Sequence, residues 1–264
     1  VDKMEKTVIK IFDSHFHIID NKYHLEVNNG YLPDLFTYED YKNRTENLLI
    51  NSIGGAIISG SFQGNDLEYL EVLNEFKKDG KKNFRAIINL PIETNDERIL
   101  DLNEKGVAGV RFNIFRGNST DIDDIIKFSK RIYQLCNWSV EIQINPKNIS
   151  EIINKLLEIP RLAIDHIGLR KDAIDSLYIL AKNNVKIKAT GFGRLDFDPI
   201  PILKNIYELN PTSLMFGTDL PSTRVDKEKV FSRSHIDLML DNFSEEELKN
   251  IMYNNAYNWY INKK

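Results

Sequence analysis

Val140-Glu141-Ile142-Gln143-Ile144-Asn145 alternates apolar and polar side chains, and Val185-Lys186-Ile187-Lys188-Ala189-Thr190 repeats the pattern. Successive side chains of a β-strand point to opposite faces, so each stretch carries one apolar face and one polar face. Helical patterns flank both stretches. That context predicts a parallel sheet, which is covered on both faces. If the apolar face packs on helices, the polar face points into the middle of a closed barrel. A buried charge without a partner is costly, so these groups are expected to meet one another, water, a metal or a ligand. Arg111 and Asn113 share a parity in the same way, as do Asp13, His15 and His17.

Working outward, strand-like runs fall at 8–19, 56–61, 84–90, 109–115, 140–145, 162–167, 185–190 and 214–217. Helical periodicity fills the gaps. Leu67, Leu70, Leu73 and Phe76 mark one face, closed by Gly80. Ile122, Ile125, Ile126 and Tyr133 mark the next long helix, and Ile149, Ile152, Ile153, Leu156 and Leu157 another that ends before Pro160. Ser244 with Glu247 reads as a capping box. Eight strands alternating with helices in 264 residues predict an α/β fold, a (β/α)8 TIM barrel of one domain over 1–264. A doubly wound open sheet is the alternative, but no glycine-rich loop follows the first strand. The segment 21–51 is long for a strand–helix connection. Over a barrel mouth it is a candidate lid. Its Tyr31, Phe36, Tyr38 and Tyr41 read equally as lid contacts or as packing.

Composition narrows the function classes. Hydrophobic residues at 42% and charged residues at 28% are globular values, which argues against an extended disordered chain. Thirty-five Lys and Arg against 39 Asp and Glu leave a net charge of −4, so no nucleic-acid or anionic-membrane partner is expected. No apolar run approaches the ~20 residues of a membrane span. The charged start, Val1-Asp2-Lys3-Met4-Glu5-Lys6, is unlike a signal peptide, and the expectation is a cytoplasmic protein. The single cysteine, Cys136, excludes an internal disulfide and a cysteine-cluster metal site. Nothing in the sequence sets an oligomeric state.

The chemistry-bearing residues gather at predicted strand ends. In Asp13-Ser14-His15-Phe16-His17 the two imidazoles project from one face, close enough to share a cation or a substrate oxygen. His166 ends the sixth strand and Asp219 the eighth. In a closed barrel the eighth strand adjoins the first, which puts Asp219 beside His15 and His17. A carboxylate beside imidazoles binds metal or serves as a general base; taken alone, Asp219 also reads as a turn residue. Arg111 and Arg194 fall at or just after strand ends, and guanidinium forks suit carboxylates, so a small anionic substrate is expected. Gln143 and Ser61 join them as candidate substrate contacts. Arg116 and Arg170 follow strand ends too, where they read equally as surface residues. Lys188 is placed to add charge or to pair with Glu141. His24 and His235 read as non-catalytic.

These residues resemble the amidohydrolase superfamily of barrel hydrolases: the His-x-His of strand one (His15, His17), the strand-six histidine (His166) and the strand-eight aspartate (Asp219). Asn255-Ala256-Tyr257-Asn258-Trp259-Tyr260 is similar to the Asn-Ala-x-x-x-Tyr helix that closes many members. Gly109-Val110-Arg111-Phe112-Asn113, Asp165-His166-Ile167-Gly168, Lys188-Ala189-Thr190-Gly191-Phe192-Gly193-Arg194 and the stretch from Ser61 to Asn65-Asp66 resemble the branch of 2-pyrone-4,6-dicarboxylate lactonase and sugar-acid lactonases. The resemblance implies a hydrolase acting on a small carboxylated lactone or similar cyclic ester. Asp219 would activate water, and His15, His17 and His166 would polarise the carbonyl, directly or through a metal they hold. Departures bear on that metal. Arg111 and Asn113 stand where binuclear members carry a bridging lysine, and Glu141 and Gln143 where many zinc members carry a histidine. Ser222 follows Asp219 where the branch often has a larger polar residue. The expectation is at most one divalent metal, zinc or manganese, on His15, His17 and Asp219 or Glu141, with metal-free operation the other reading. The alternatives are a metal-assisted decarboxylase or other amidohydrolase, and a non-catalytic ligand-binding relative. The joint presence of His15, His17, His166 and Asp219 argues against the latter.

Overall fold

Eight parallel strands pair in chain order: β1 (Ile9–Phe16), β2 (Ile50–Ile58), β3 (Phe84–Ile88), β4 (Val107–Asn113), β5 (Ser139–Gln143), β6 (Leu162–Ile164), β7 (Lys186–Ala189) and β8 (Leu214–Phe216). The structure, a computed structural model, describes residues 7–114, 121–144 and 149–263. Arg116, Asn145 and the charged start at 1–6 lie outside the described residues. Helices α1 (Tyr38–Asn47), α2 (Val72–Lys78), α3 (Asp96–Glu104), α4 (Ile122–Cys136), α5 (Ile149–Leu156), α6 (Ile174–Lys182) and α7 (Pro199–Leu209) cross between successive strands, and α8 (Arg233–Asn242) follows β8. This is the (β/α)8 barrel. Among the described residues no helix is long and apolar enough to cross a membrane.

Backbone bonds just beyond the strands bring the first and last together. The N–H of His17 donates to Leu220 O and that of Asp219 to His15 O, both at 2.8 Å. Gly217 permits the approach, since a Cβ there would fall 2.7 Å from His15 N. The opposite end of the barrel is plugged by the helical run that begins at Glu245 and passes through Asn258–Asn262. Asn255 ties it down by donating to the carbonyls of Pro211 and Leu214, at the start of β8. Tyr260, Trp259 and Ala256 pack there with Phe12, Ala56, Ile87, Ala163 and Met215 in an apolar floor.

Several expectations need correction. Of the candidate lid 21–51, residues 38–47 are α1 and Ile50 opens β2. Thr37 and Asp40 form a capping box there, and Tyr41 is fully buried, stacked on Phe16 at 4.1 Å. Only the stretch before Thr37 is left over the mouth. Phe36, Tyr38 and Tyr41 are core, whereas Tyr31 is half-buried at the rim. In α4, Tyr133 is 43% exposed, and Ile125, Ile126, Phe128 and Ile132 form the packed face instead. Asp13 does not share the site with His15. The β1–β2 register shifts between Ile11 and Phe12 and again between Asp13 and Phe16, and that irregularity breaks simple parity. Phe12 faces the floor, while the Asp13 carboxylate accepts from Tyr41 Oη and from Thr218 N and Oγ1, each at 2.8 Å. Burial outweighs those bonds and lifts the Asp13 pKa to about 6.

Candidate active site

The side chains of interest sit where strands end and the backbone is forced into unusual conformations. β6 stops at Ile164, short of the run read from sequence, because His166 and Ile167 take left-handed φ values of 55° and 52°. Asp219 does the same at 56°. For a β-branched residue such as Ile167 this is a genuine outlier, and strain of about 1–3 kcal/mol per residue persists only where the surroundings impose it. The turn lifts His166 toward the axis, against Gly191, where a Cβ would lie 2.9 Å from His166 Nδ1.

The parity reading holds for the remaining polar stripes. Lys188 on β7 contacts Glu141 on β5, past the intervening β6, and both side chains are fully buried. Arg111 on β4 donates from Nε to Asp165 Oδ2 at 3.0 Å, from Nη1 to Ser59 O at 3.2 Å and from Nη2 to Gln143 Oε1 at 2.9 Å. These contacts cross the barrel interior. His15 Nε2 and His17 Nε2 each lie 3.6 Å from Asp219 Oδ1. His15 Nδ1 lies 3.2 Å from Lys188 Nζ and 3.6 Å from Asp165 Oδ1. His17 donates from Nδ1 to Ile58 O at 2.8 Å, and His166 Nδ1 bonds Thr190 Oγ1 at 2.7 Å. Arg194 Nη1 is 4.0 Å from Asp219 Oδ2.

Charge is balanced here: Arg111, Lys188 and Arg194 face Glu141, Asp165 and Asp219. The histidines therefore need no proton to neutralise the site. Burial, reinforced by Lys188, drives the His15 pKa well below its ordinary value, and burial brings that of His166 down to about 3. Burial alone would raise Asp219, but the imidazoles of His166 and His17 and the Arg194 guanidinium beside it outweigh burial and hold the carboxyl well below the usual range. Asp219 is thus ionised, and His15 and His166 neutral, at neutral pH.

Each residue anticipated from sequence can now be placed. His15, His17, His166 and Asp219 converge. Arg194 reaches the same point, but most of the Arg111 fork is committed to protein partners. Gln143 keeps a buried Nε2 without a partner. Ser61 is exposed in the turn after β2 and lines the mouth. Arg170 is turned away, donating to the carbonyls of Leu169 and Arg194. His24 pairs with Glu26 in the loop, and His235 is stacked beside Phe192 and Phe231. Sequence reasoning missed Asp165 as a member of the cluster, although its place directly before His166 was a signal. His17, Gln143, Arg111 and Arg194 line a narrow cavity roofed by Tyr31 and Arg224, whose guanidinium lies 4.4 Å from the Tyr31 ring. A cleft of about 640 Å³ adjoins it through Ser61, Arg111 and Asn113, with Asn65, Asn89 and Glu93 on its far side.

Among the described residues, two buried groups are compact enough to hold one metal ion: His15, His17 and Asp219, and His15, Asp165 and His166, with donor atoms within 4.8 Å of one another in each. Two nitrogens and a carboxylate oxygen suit zinc by element and number. His17 also suits by protonation, because its Nδ1–H is spent on Ile58 O and its Nε2 lone pair is free. Protonation at His15 does not suit while Lys188 holds its Nδ1. An ammonium cannot accept a hydrogen bond, so the proton of a neutral ring is left on Nε2. Glu141 is no ligand here, being engaged by Lys188 and Tyr260.

The profile of the amidohydrolase family matches residues 12–260. No curated protein matches in sequence. Among solved structures, a probable 2-pyrone-4,6-dicarboxylic acid hydrolase from Acinetobacter baumannii with citric acid bound aligns with a TM-score of 0.75 at 22% identity, over 96% of this chain and 99% of that one. A putative 2-pyrone-4,6-dicarboxylic acid hydrolase from Pseudomonas putida aligns with a TM-score of 0.77 at 19% identity, over 95% and 97% of the two chains. An Agrobacterium tumefaciens protein reaches 0.80 at 19% identity over 95% of each. At these identities the likeness is one of fold.

Proposed function

The chain belongs to the amidohydrolase family and is a hydrolase, and on that premise we propose that its substrate is a small carboxylated lactone or similar cyclic ester. The observation that carries this reading is the ionised Asp219 carboxylate, 3.6 Å from both His15 Nε2 and His17 Nε2, with Arg194 at 4.0 Å. The His17 lone pair and Asp219 Oδ1 are both acceptors. A water seated between them donates one proton to each and turns a lone pair toward the substrate.

In the proposed step this water oxygen bonds to the lactone carbonyl carbon while its proton passes to Asp219. The carbonyl π electrons move to oxygen, where ring N–H groups of His15 and His166 steady the oxyanion. Collapse breaks the ring C–O bond, and the leaving oxygen takes the proton back from Asp219. The product is a ring-opened hydroxy acid, one water heavier. An ester-like carbonyl suits a base whose pKa is held low, since it needs less activation than an amide. A zinc or manganese ion on His15, His17 and Asp219 would supply Lewis-acid polarisation, but it would need a bare His15 Nε2, which the Lys188 contact at Nδ1 does not leave. The route above uses the side chains alone.

Binding follows from the cationic rim. Arg194, with the Gln143 Nε2–H and Ser61 around it, is placed to take a substrate carboxylate, while the fork of Arg111 is mostly held by Asp165 and Gln143. The stretch between Asn21 and Thr37, anchored by Glu26 N to Phe62 O at 2.7 Å, covers the cavity as a lid. A tricarboxylate on the Acinetobacter relative and the names of two neighbours favour an anionic ligand. The test is a panel of carboxylated lactones, both pyrone and sugar-acid, followed by mass spectrometry for gain of water. Turnover that vanishes in Asp219→Asn is the expected result. Hydrolysis of neutral esters only, or release of carbon dioxide, overturns the proposal.

A further inference from the structure

An ammonium carries three protons and accepts no hydrogen bond. Lys188 Nζ has three acceptors in reach: Ser14 O at 2.8 Å, a Glu141 carboxylate oxygen, and His15 Nδ1 at 3.2 Å. Asp165 Oδ1, at 3.8 Å, is beyond hydrogen-bond range. Protons and acceptors therefore match, and His15 Nδ1 is the bare nitrogen of its ring. His15 Nε2 is buried without a hydrogen-bond partner and looks toward Asp219. His17, two residues on, has the reverse arrangement, with Nδ1–H spent on Ile58 O. The paired histidines thus present one N–H and one lone pair to the same point.

The lysine is itself held from behind. Glu141 accepts the Tyr260 hydroxyl on its other oxygen, and Tyr260 is stacked on Phe12 with ring centroids 5.6 Å apart. A line of contacts runs from the barrel floor through Tyr260, Glu141 and Lys188 to His15. None of the first three side chains borders the cavity.

We propose that Lys188, braced by Glu141 and Tyr260, is a positioning residue that locks His15 as the Nε2–H tautomer, making that ring an oxyanion donor and not a metal ligand. What the N–H does in catalysis rests on the hydrolytic reading above, but the tautomer itself is a property of the resting protein.

The test is a two-bond ¹H–¹⁵N correlation spectrum of protein labelled with ¹⁵N-histidine near neutral pH, with His15 assigned by the signals lost in His15→Gln. An Nε2–H pattern for His15 is the expected result; an Nδ1–H pattern overturns the proposal. The pair Lys188→Met with Glu141→Gln removes both buried charges together. In that variant His15 is expected to move toward Nδ1–H, and zinc affinity, read by calorimetry with zinc chloride, to rise about tenfold or more. A folded double variant with wild-type tautomer and wild-type zinc affinity overturns the lock. Tyr260→Phe, a milder change, is expected to lower kcat with KM unmoved; equal change in both overturns the bracing role. The Nε2–H pattern in a protein that opens no lactone supports the lock and counts only against the substrate.

Discussion

The backbone N–H of Asp219 donates to the carbonyl oxygen of His15 at 2.8 Å, so one bond both links the last strand end to the first and sets the spacing of carboxylate and imidazole. Because the bond is main-chain, it survives replacement of the Asp219 side chain. Asp219→Asn is therefore expected to fold and to bind. Its kcat should fall about 10²–10⁴-fold, the contribution of a positioned general base, with ligand affinity changed less than about tenfold. Steady-state kinetics paired with calorimetry on a non-reacting dicarboxylate will show it, and wild-type turnover would remove Asp219 from the mechanism.

Arg194 and Arg111 should separate. Arg194→Met is expected to weaken binding of a carboxylated ligand by about 10-fold or more, the scale of one charged hydrogen bond, while a neutral analogue is hardly affected. Equal loss for both ligands would argue against a carboxylate clamp.

Arg111→Met should act on stability. It leaves Asp165 buried without its 3.0 Å partner, and breaking such a pair costs about 3–5 kcal/mol. Arg111→Met with Asp165→Asn should recover part of that loss in urea denaturation. A double variant no more stable than Arg111→Met would mean the pair is not coupled.

Acid should destabilise the protein well above the carboxylate range. His15 and His166 have lowered pKa values when folded, so the unfolded chain binds their protons first, and stability falls as pH drops below about 6.5. Asp13 works the other way: lifted to about 6, it is protonated first in the folded state, which gains stability between about pH 6 and 4. Glu141, also raised by burial, acts with Asp13, and His235, lowered by burial, acts with His15 and His166; three imidazoles outweigh two carboxyls, and Tm should decline from neutral pH toward pH 5. Asp165 and Asp219, both held low, add further loss only below about pH 4. His166→Asn removes one imidazole and should flatten the decline; a steeper one would contradict the assignment.

All eight strands and most of the converging residues were legible in the sequence, and the misses have physical causes. β2 starts at Ile50, and its first half was hidden because Asn51, Ser52, Gly54 and Gly55 interrupt the apolar pattern before Ala56. The two glycines are there because Phe12, Phe16 and Phe84 fill the space a Cβ would need. Parity worked for Glu141, Gln143 and Lys188 because β5 and β7 are regular, and failed for Asp13 because β1 is not. A left-handed Ile167 has no sequence signature at all. The tautomer of His15 depends on groups far apart in the chain, which no local pattern joins.

The plug at the barrel floor also orders events in time. Synthesis delivers Tyr260 119 residues after Glu141. Glu141 and Lys188 are both made before the residue that covers them, and the pair gains its cover at the base only once Tyr260 docks. Loss of the segment around Tyr260 by a late stop codon or a nick would therefore be felt at the far mouth of the barrel, where none of its atoms reach.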